Sequence, residues 1–279
     1  MSDATSRFSA VAGQYDAVRP RPPEDLIDVI TQWAGVTRPD VVDLGAGTGR
    51  SALAWAGRAS TVTAVEPSAG MRAVAERRIA EAAPDSGPAP DSGPAPARRP
   101  GTAFTLLDAT AEATGLPDGC ADVVTASQAM HWFDPDRALP EIARLLRPGG
   151  VLAAYDCDWP PCIDWETGAA WDRVAGLVDQ EHARRGRPAL HRGKHHLERM
   201  RRSGLFRHAE LIAVHGREQG DAGRLVAVAL SAIAHAAEFL ADGCSEDELG
   251  IAAFRDVAAR RLARPRTWWW TYQVHLAVR

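Results

Sequence analysis

No run in the 279 residues approaches the roughly 18 uninterrupted apolar side chains that a bilayer span requires. The opening MSDATSRFSA has no apolar core of export-signal length. Cysteine is scarce: four residues, at 120, 157, 162 and 244, are too few for a disulfide scaffold and read as reduced thiols. Cys157 and Cys162 enclose DWPP, yet no second pair of soft ligands stands at zinc-finger spacing, so they read as two small packing residues. His191, His195 and His196 sit in HRGKHHLERMRR, where the surrounding positive charge opposes a divalent cation; the expectation is a solvated, mobile surface segment. An excess of either charge is also missing. With 32 basic against 36 acidic residues the formal charge is −4, which gives no global reason to expect a nucleic-acid or membrane-surface partner. The arginine-rich stretch between Arg184 and Arg207 has no interleaved aromatic until Phe206 and reads as a solvated helical face, or as a lid that attracts an anionic substrate. What remains is a soluble, cytoplasmic protein, monomer or homodimer, whose partner is a small molecule.

The chain alternates between two hydrophobic periods. Residues 24–36 place Leu26, Ile27, Ile30 and Trp33 at helical spacing, with acidic residues in the first turn. VVDL then reads as a strand, 50–57 as a helix, TVTAVEP as a second strand and 69–83 as a further helix. Such βαβα alternation marks a parallel sheet with helices on both faces. Residues 84–101 contain PDSGPA twice in tandem; this composition cannot bury apolar surface and predicts a disordered insertion, about 84–100. AFTLLDA and ADVVTASQAM continue the strands, followed by a helix over 135–146 and the strand VLAAYDCDW. A basic helical region over 164–202, the strand FRHAELIAVHG, a helical stretch over 222–264 and the strand TWWWTYQVHLAVR complete the chain.

Gly45, Gly47 and Gly49 fall in VVDLGAGTGR, at the carboxyl end of the first strand. Glycine there permits positive φ and lets a ligand approach the backbone. A dinucleotide site requires G-x-G-x-x-G, but Arg50 holds the third glycine's place, and no Gly-Lys-Ser/Thr phosphate loop is present. Glu66 ends the second strand at the interval of a ribose-binding acid. Asp108 and Ala109, ending the third, pair an acceptor carboxylate with an N–H as an adenine edge requires. With no donor cluster for a pyrophosphate, the ligand reads as a nucleoside without phosphates.

VVDLGAGTGR, AVEPSAGM, LLDATAEATGLPDGCADVVTASQAMHWFD and EIARLLRPGGVLAAYD together resemble the class I S-adenosylmethionine-dependent methyltransferases, over residues 8 to about 158. FSAVAGQYDAVRPRPP and QAMHWFD look most like the trans-aconitate methyltransferase-like group. The resemblance implies a Rossmann-like α/β fold with a seven-stranded sheet of order 3-2-1-4-5-7-6, the last strand antiparallel. It divides the chain into a lid and helix (1–36), a cofactor-binding core (37–158), and substrate-side helices with the final two strands (159–279). S-adenosylmethionine is the implied cofactor and a small molecule, of the kind met in bacterial secondary metabolism, the implied methyl acceptor. A ring-closing enzyme on the same fold, or a non-catalytic binding subunit, is the alternative.

Carried onto this chain, the resemblance gives Gly45, Gly47 and Gly49, with Ala46, to the methionine portion and ribose. Asp43 holds the turn or reaches the ligand's ammonium through water. Glu66, beside Pro67, takes the ribose hydroxyls; Met71 packs under adenine or belongs to the core; Asp108 and Ala109 read the adenine edge; Ser127 approaches the methionyl group. Tyr15 and Arg19 lie on the lid, where Arg19 meets a carboxylate of cofactor or substrate or forms a solvated turn. The acceptor is expected against His131, Trp132 and Tyr155. His131 acts there as a base or packs on the adenosine side, since imidazole titrates near neutrality. In the WWW run, strand alternation puts Trp268 and Trp270 on one face, as core, and Trp269 on the other.

Overall fold

Val41, Val42 and Leu44 make the first strand, β1 (Asp40–Leu44), apolar on both faces, as a strand covered by helices on either side must be. The computed structural model describes residues 19–82, 101–187, 195–233 and 235–279. Tyr15 with the first 18 residues, His191 and the 84–100 insertion lie outside the described residues. Around β1 come α1 (Glu24–Ala34), α2 (Arg50–Ala54), β2 (Thr61–Val65), α3 (Ala69–Ala82), β3 (Ala103–Leu107), β4 (Ala121–Ser127), α4 (Pro135–Leu145) and β5 (Leu146–Cys157). A single 3₁₀ turn, Met130–Trp132, joins β4 to α4. The order continues with α5 (Trp165–Arg184), α6 (His196–Arg202), β6 (His208–Gly220), α7 (Ala222–Ala232), α8 (Ala236–Ala241), α9 (Ile251–Arg261) and β7 (Arg266–Val278).

The strands form one seven-stranded sheet of order β3-β2-β1-β4-β5-β7-β6. The pairs from β3 to β5 are parallel, and β7 runs antiparallel to both β5 and β6, as the resemblance implied. One apolar layer contains Leu26, Ile27 and Ile30 of α1 and Trp171, Phe239 and Phe254 of the later helices. Burying Leu26 or Ile30 contributes about 1.5–3 kcal/mol, which outweighs the few tenths that separate ordinary helix propensities. The other layer packs Leu139, Ile142 and Leu145 of α4 and Met200 of α6 against Val42, Val124 and Leu152.

Trp268 and Trp270 are 0% and 1% exposed while Trp269 is 50% exposed, so the alternation holds. Several boundaries differ from the sequence reading. The helix after the glycine turn stops at Ala54, and the 222–264 stretch is three helices: His235 adopts positive φ between the first two, and Gly243 and Gly250 do so between the second and third. Asp164 caps α5 in a capping box with Thr167, and its second oxygen accepts from Arg261 and Arg266, which ties α5 to α9 and β7. Two readings are corrected. His196 is 1% exposed, in the interior rather than on a solvated segment, while His195 remains exposed. Cys157 is buried as expected, but Cys162 is exposed and takes part through its backbone, which exchanges hydrogen bonds with Trp269 at 2.8 and 3.0 Å. Among the described residues no helix is long and apolar enough to cross a membrane.

Candidate functional site

The glycine turn lies at the carboxyl edge of the sheet, beside the point where strand order reverses between β1 and β4, the place where open α/β sheets bind ligands. Its three glycines have φ of 65°, 56° and 82°. They serve different ends. A Cβ on Gly45 would stand 2.7 Å from the Ala129 Cβ, and one on Gly49 would stand 3.0 Å from the Ala75 Cβ, so both admit neighbouring protein. A Cβ on Gly47 would meet nothing within 4 Å. The open approach that the sequence assigns to all three belongs to Gly47.

Glu66 faces this turn. Its Oε2 accepts from the Gly47 N–H and its Oε1 from the Ser68 N–H, each at 2.9 Å. Each oxygen keeps a further lone pair, so the anchored carboxylate still suits a vicinal diol. Pro67 beside it is exposed, and Met71, 6% exposed, stands in the first turn of α3.

Behind the turn, Asp43 is fully buried. Its Oδ1 accepts from the Thr125 hydroxyl at 2.6 Å and the Ser51 hydroxyl at 3.0 Å, and Ser51 shares a 2.6 Å hydrogen bond with the Tyr155 hydroxyl. Asp43 Oδ2 has no hydrogen-bond partner among the described residues. Burial pushes the Asp43 carboxyl up to about 6, against the lowering effect of Thr125 and Ser51. Asp43 thereby links β1 to Ser51, the second residue of α2. Tyr155 is 1% exposed, and its hydroxyl is engaged by Ser51.

Asp108 is exposed and forms a two-pronged ion pair with Arg72, at 2.9 and 2.6 Å, while Arg72 also donates to the Glu66 carbonyl at 2.6 Å. An adenine edge would share this carboxylate with Arg72; the half-buried Ala109 follows directly. The sequence gives no sign of Arg72, because the pair spans 36 residues.

At the end of β4, Ser127 is half-buried, and Gln128 adopts φ 50°, a left-handed conformation unusual for a side chain of its kind. Arg19 donates to Gln128 Oε1 at 3.0 Å and to the Ser231 carbonyl at 2.9 Å, with its guanidinium 4.8 Å from the Trp159 ring. It is a tether between the N-terminal segment, β4 and α7, and not a solvated turn. Arg50 reinforces it by donating to the Arg19 carbonyl at 3.1 Å. Next along the chain, the His131 side chain is one-third exposed, with Nδ1 3.9 Å from Asp156 Oδ1 and its ring 4.9 Å from that of Trp132. Trp132 is 61% exposed.

These features suit the implied cofactor: a turn open at Gly47 and a fixed carboxylate with spare acceptor capacity. Comparison with known proteins agrees. Residues 42–154 match the family described as "Methyltransferase domain". An uncharacterized methyltransferase of Mycobacterium tuberculosis is 37% identical over 150 residues, 54% of this chain and 51% of that protein. A malonyl-[acyl-carrier protein] O-methyltransferase of Pectobacterium atrosepticum is 30% identical over 61% of this chain and 58% of its own. The chain thus spans little more than half the length of these curated relatives. Among solved structures, a candidate type II methyltransferase from Anaeromyxobacter dehalogenans superposes with a TM-score of 0.64 at 25% identity, over 93% of this chain and 97% of its own. Residues 42–154 thus match a methyltransferase domain, and the sheet order with the turn at its carboxyl edge is that of the Rossmann-like methyltransferase fold.

Proposed function

We propose that this protein transfers a methyl group from S-adenosylmethionine to a small-molecule acceptor. The observation that carries the reading is the Glu66 carboxylate, held by two backbone N–H groups beside the open face of Gly47. Glu66 takes the ribose hydroxyls, Asp108 and Ala109 the adenine edge, and the Gly45–Gly49 turn the methionine portion, with Asp43 and Ser127 behind and beside it. When bound, the cofactor supplies a methyl group already activated on a sulfonium, so catalysis by the chain is largely a matter of orienting the acceptor in line.

The acceptor side is built from His131, Trp132 and the Arg19–Gln128 pair. Trp132 offers an exposed indole face to an apolar body. His131 Nδ1 lies 3.9 Å from Asp156 Oδ1, and Nε2 is the nitrogen that takes a proton from the acceptor where one must be lost. The acyl-carrier acceptor named for the Pectobacterium relative belongs to that protein; this chain's own acceptor side has an aromatic face and an imidazole, which suits a small molecule with a hydroxyl or amine.

Calorimetry with S-adenosylmethionine and S-adenosylhomocysteine tests the cofactor. Mass spectrometry of candidate acceptors for the gain of one methyl tests the reaction. Failure to bind either compound would sink the proposal.

A further inference from the structure

Asp156 has entered so far only as the carboxylate beside His131 Nδ1. It follows Tyr155 on β5 and therefore points to the opposite face of the strand, where it is 6% exposed. Its two oxygens lie near two different imidazoles: Oδ1 is 3.9 Å from His131 Nδ1, and Oδ2 is 3.7 Å from His196 Nε2. His196, the first residue of α6, meets the ring of His275 edge-on at 5.3 Å. His275 lies on β7 opposite Ala154 and is 5% exposed. One buried carboxylate thus stands between an imidazole at the mouth of the site and two in the interior.

Just past the end of β5, Asp158 accepts from Gln273 of β7 at 3.0 Å. From β6, the residue opposite His275 is the uncharged Leu211. A buried carboxylate is costly unless a cation or donor compensates it, and His131 and His196 are two described groups beside it that can do so. The separations exceed hydrogen-bond length by under an ångström, and such contacts commonly tighten when a ligand closes the site.

We propose that Asp156 is the positioning residue for His131, an inference that rests on His131 being the acceptor-side base. Asp156 keeps the ring with Nδ1 inward and protonated, so that Nε2 is the basic nitrogen facing the acceptor. His196 steadies the other carboxylate oxygen. In the step itself the acceptor's O–H or N–H proton passes to Nε2, and the electron pair left on the acceptor forms the bond to the methyl carbon as the sulfonium C–S bond breaks. The carboxylate stabilises the resulting imidazolium, which then returns its proton to water.

The test needs no known acceptor. Histidine-labelled protein, with and without S-adenosylhomocysteine, is titrated by NMR, and the His131 signal is assigned by its loss in His131→Gln. In wild type, His131 should be Nδ1-protonated when neutral and titrate above the reference value of about 6.5. In Asp156→Asn the His131 midpoint should fall by roughly 0.5–1.5 pH units, as removal of a nearby opposite charge requires, while S-adenosylhomocysteine affinity stays within about twofold. A His131 midpoint that does not move in a variant still able to bind, or a shift confined to His196 and His275, overturns the assignment. If Asp156→Asn does not fold, the wild-type spectrum decides alone: a midpoint at or below the reference, or the Nε2-protonated tautomer, overturns it. Lack of S-adenosylhomocysteine binding by wild type is a separate result, which overturns the functional reading and not the Asp156–His131 coupling.

Discussion

Glu66 and Gly47 are joined by a 2.9 Å hydrogen bond from the Gly47 N–H to Glu66 Oε2, so the residue assigned to the ribose also holds the turn that the cofactor must cross. Glu66→Ala therefore removes two things at once. Hydrogen bonds to a charged group are worth about 1.5–3 kcal/mol, which predicts a loss of S-adenosylhomocysteine affinity of roughly 10- to 150-fold. Calorimetry with a ribose-deoxygenated analogue separates the effects. If Glu66 binds the diol, the analogue starts weaker and loses less on mutation; equal losses for both ligands assign Glu66 to the turn alone.

The glycines divide in the same way. Gly47→Ala places a Cβ in open space and should cost the fold about 1 kcal/mol through its positive φ, while sharply weakening cofactor binding if that space is the ligand's. Gly45→Ala instead drives a Cβ to within 2.7 Å of the Ala129 Cβ and should lower the melting temperature far more. Thermal unfolding and S-adenosylhomocysteine titration of both variants check this. A Gly47→Ala protein with wild-type affinity contradicts the placement of the ligand.

Much of this was legible in the sequence. The alternation of elements follows local patterns, the strand order followed from the resemblance, and the two acids expected to read a nucleoside, Glu66 and Asp108, stand where apolar runs end. The partners of those acids and of Asp43 were not legible. Ser51 and Thr125 on Asp43, Arg72 on Asp108, and Asp156 beside His131 are brought together by the fold, and no periodicity reports a pairing between strands 82 residues apart. His196 shows the same limit in reverse. Its basic neighbours suggested solvent, but the packing of α6 against the sheet turns this ring inward, since a helix presents only some of its residues to water.

Asp43 gives the protein a distinctive pH response. Its ordinary value of 3.8 rises to about 6 in the fold, so the folded chain holds this proton more tightly than the unfolded one. The stabilisation is fully present below the unfolded value and is lost as pH rises through 6, amounting to roughly 2–3 kcal/mol in all. Asp43→Asn has no such proton to lose. Urea unfolding of both proteins at pH 4 and 7.5 should show wild type losing stability relative to the variant by about that amount between the two conditions. A gap that stays constant with pH would contradict the shift.

Arg19 supplies the last prediction, because three of its contacts bear on the roles left open by the sequence. With Nη1 on Gln128, Nη2 on the Ser231 carbonyl and the guanidinium plane on Trp159, this side chain is committed to the end of β4 and to α7. Gln128 lies between Ser127 and the His131 turn, so the contact arranges the acceptor edge and leaves the ribose and adenine positions untouched. Arg19→Ala should therefore destabilise the fold by about 1–3 kcal/mol, through lost charged hydrogen bonds, while S-adenosylhomocysteine affinity stays within about threefold. Arg19→Lys should recover less than half of the lost stability, since an ammonium cannot reproduce the planar fork. Hydrogen exchange locates the effect: the Gln128 amide, bonded to the Tyr155 carbonyl at 2.8 Å, should exchange faster in both variants, whereas that of Gly47 should not. A fall in S-adenosylhomocysteine affinity of more than tenfold, with the Gln128 amide still protected, would instead assign Arg19 to the carboxylate of the cofactor.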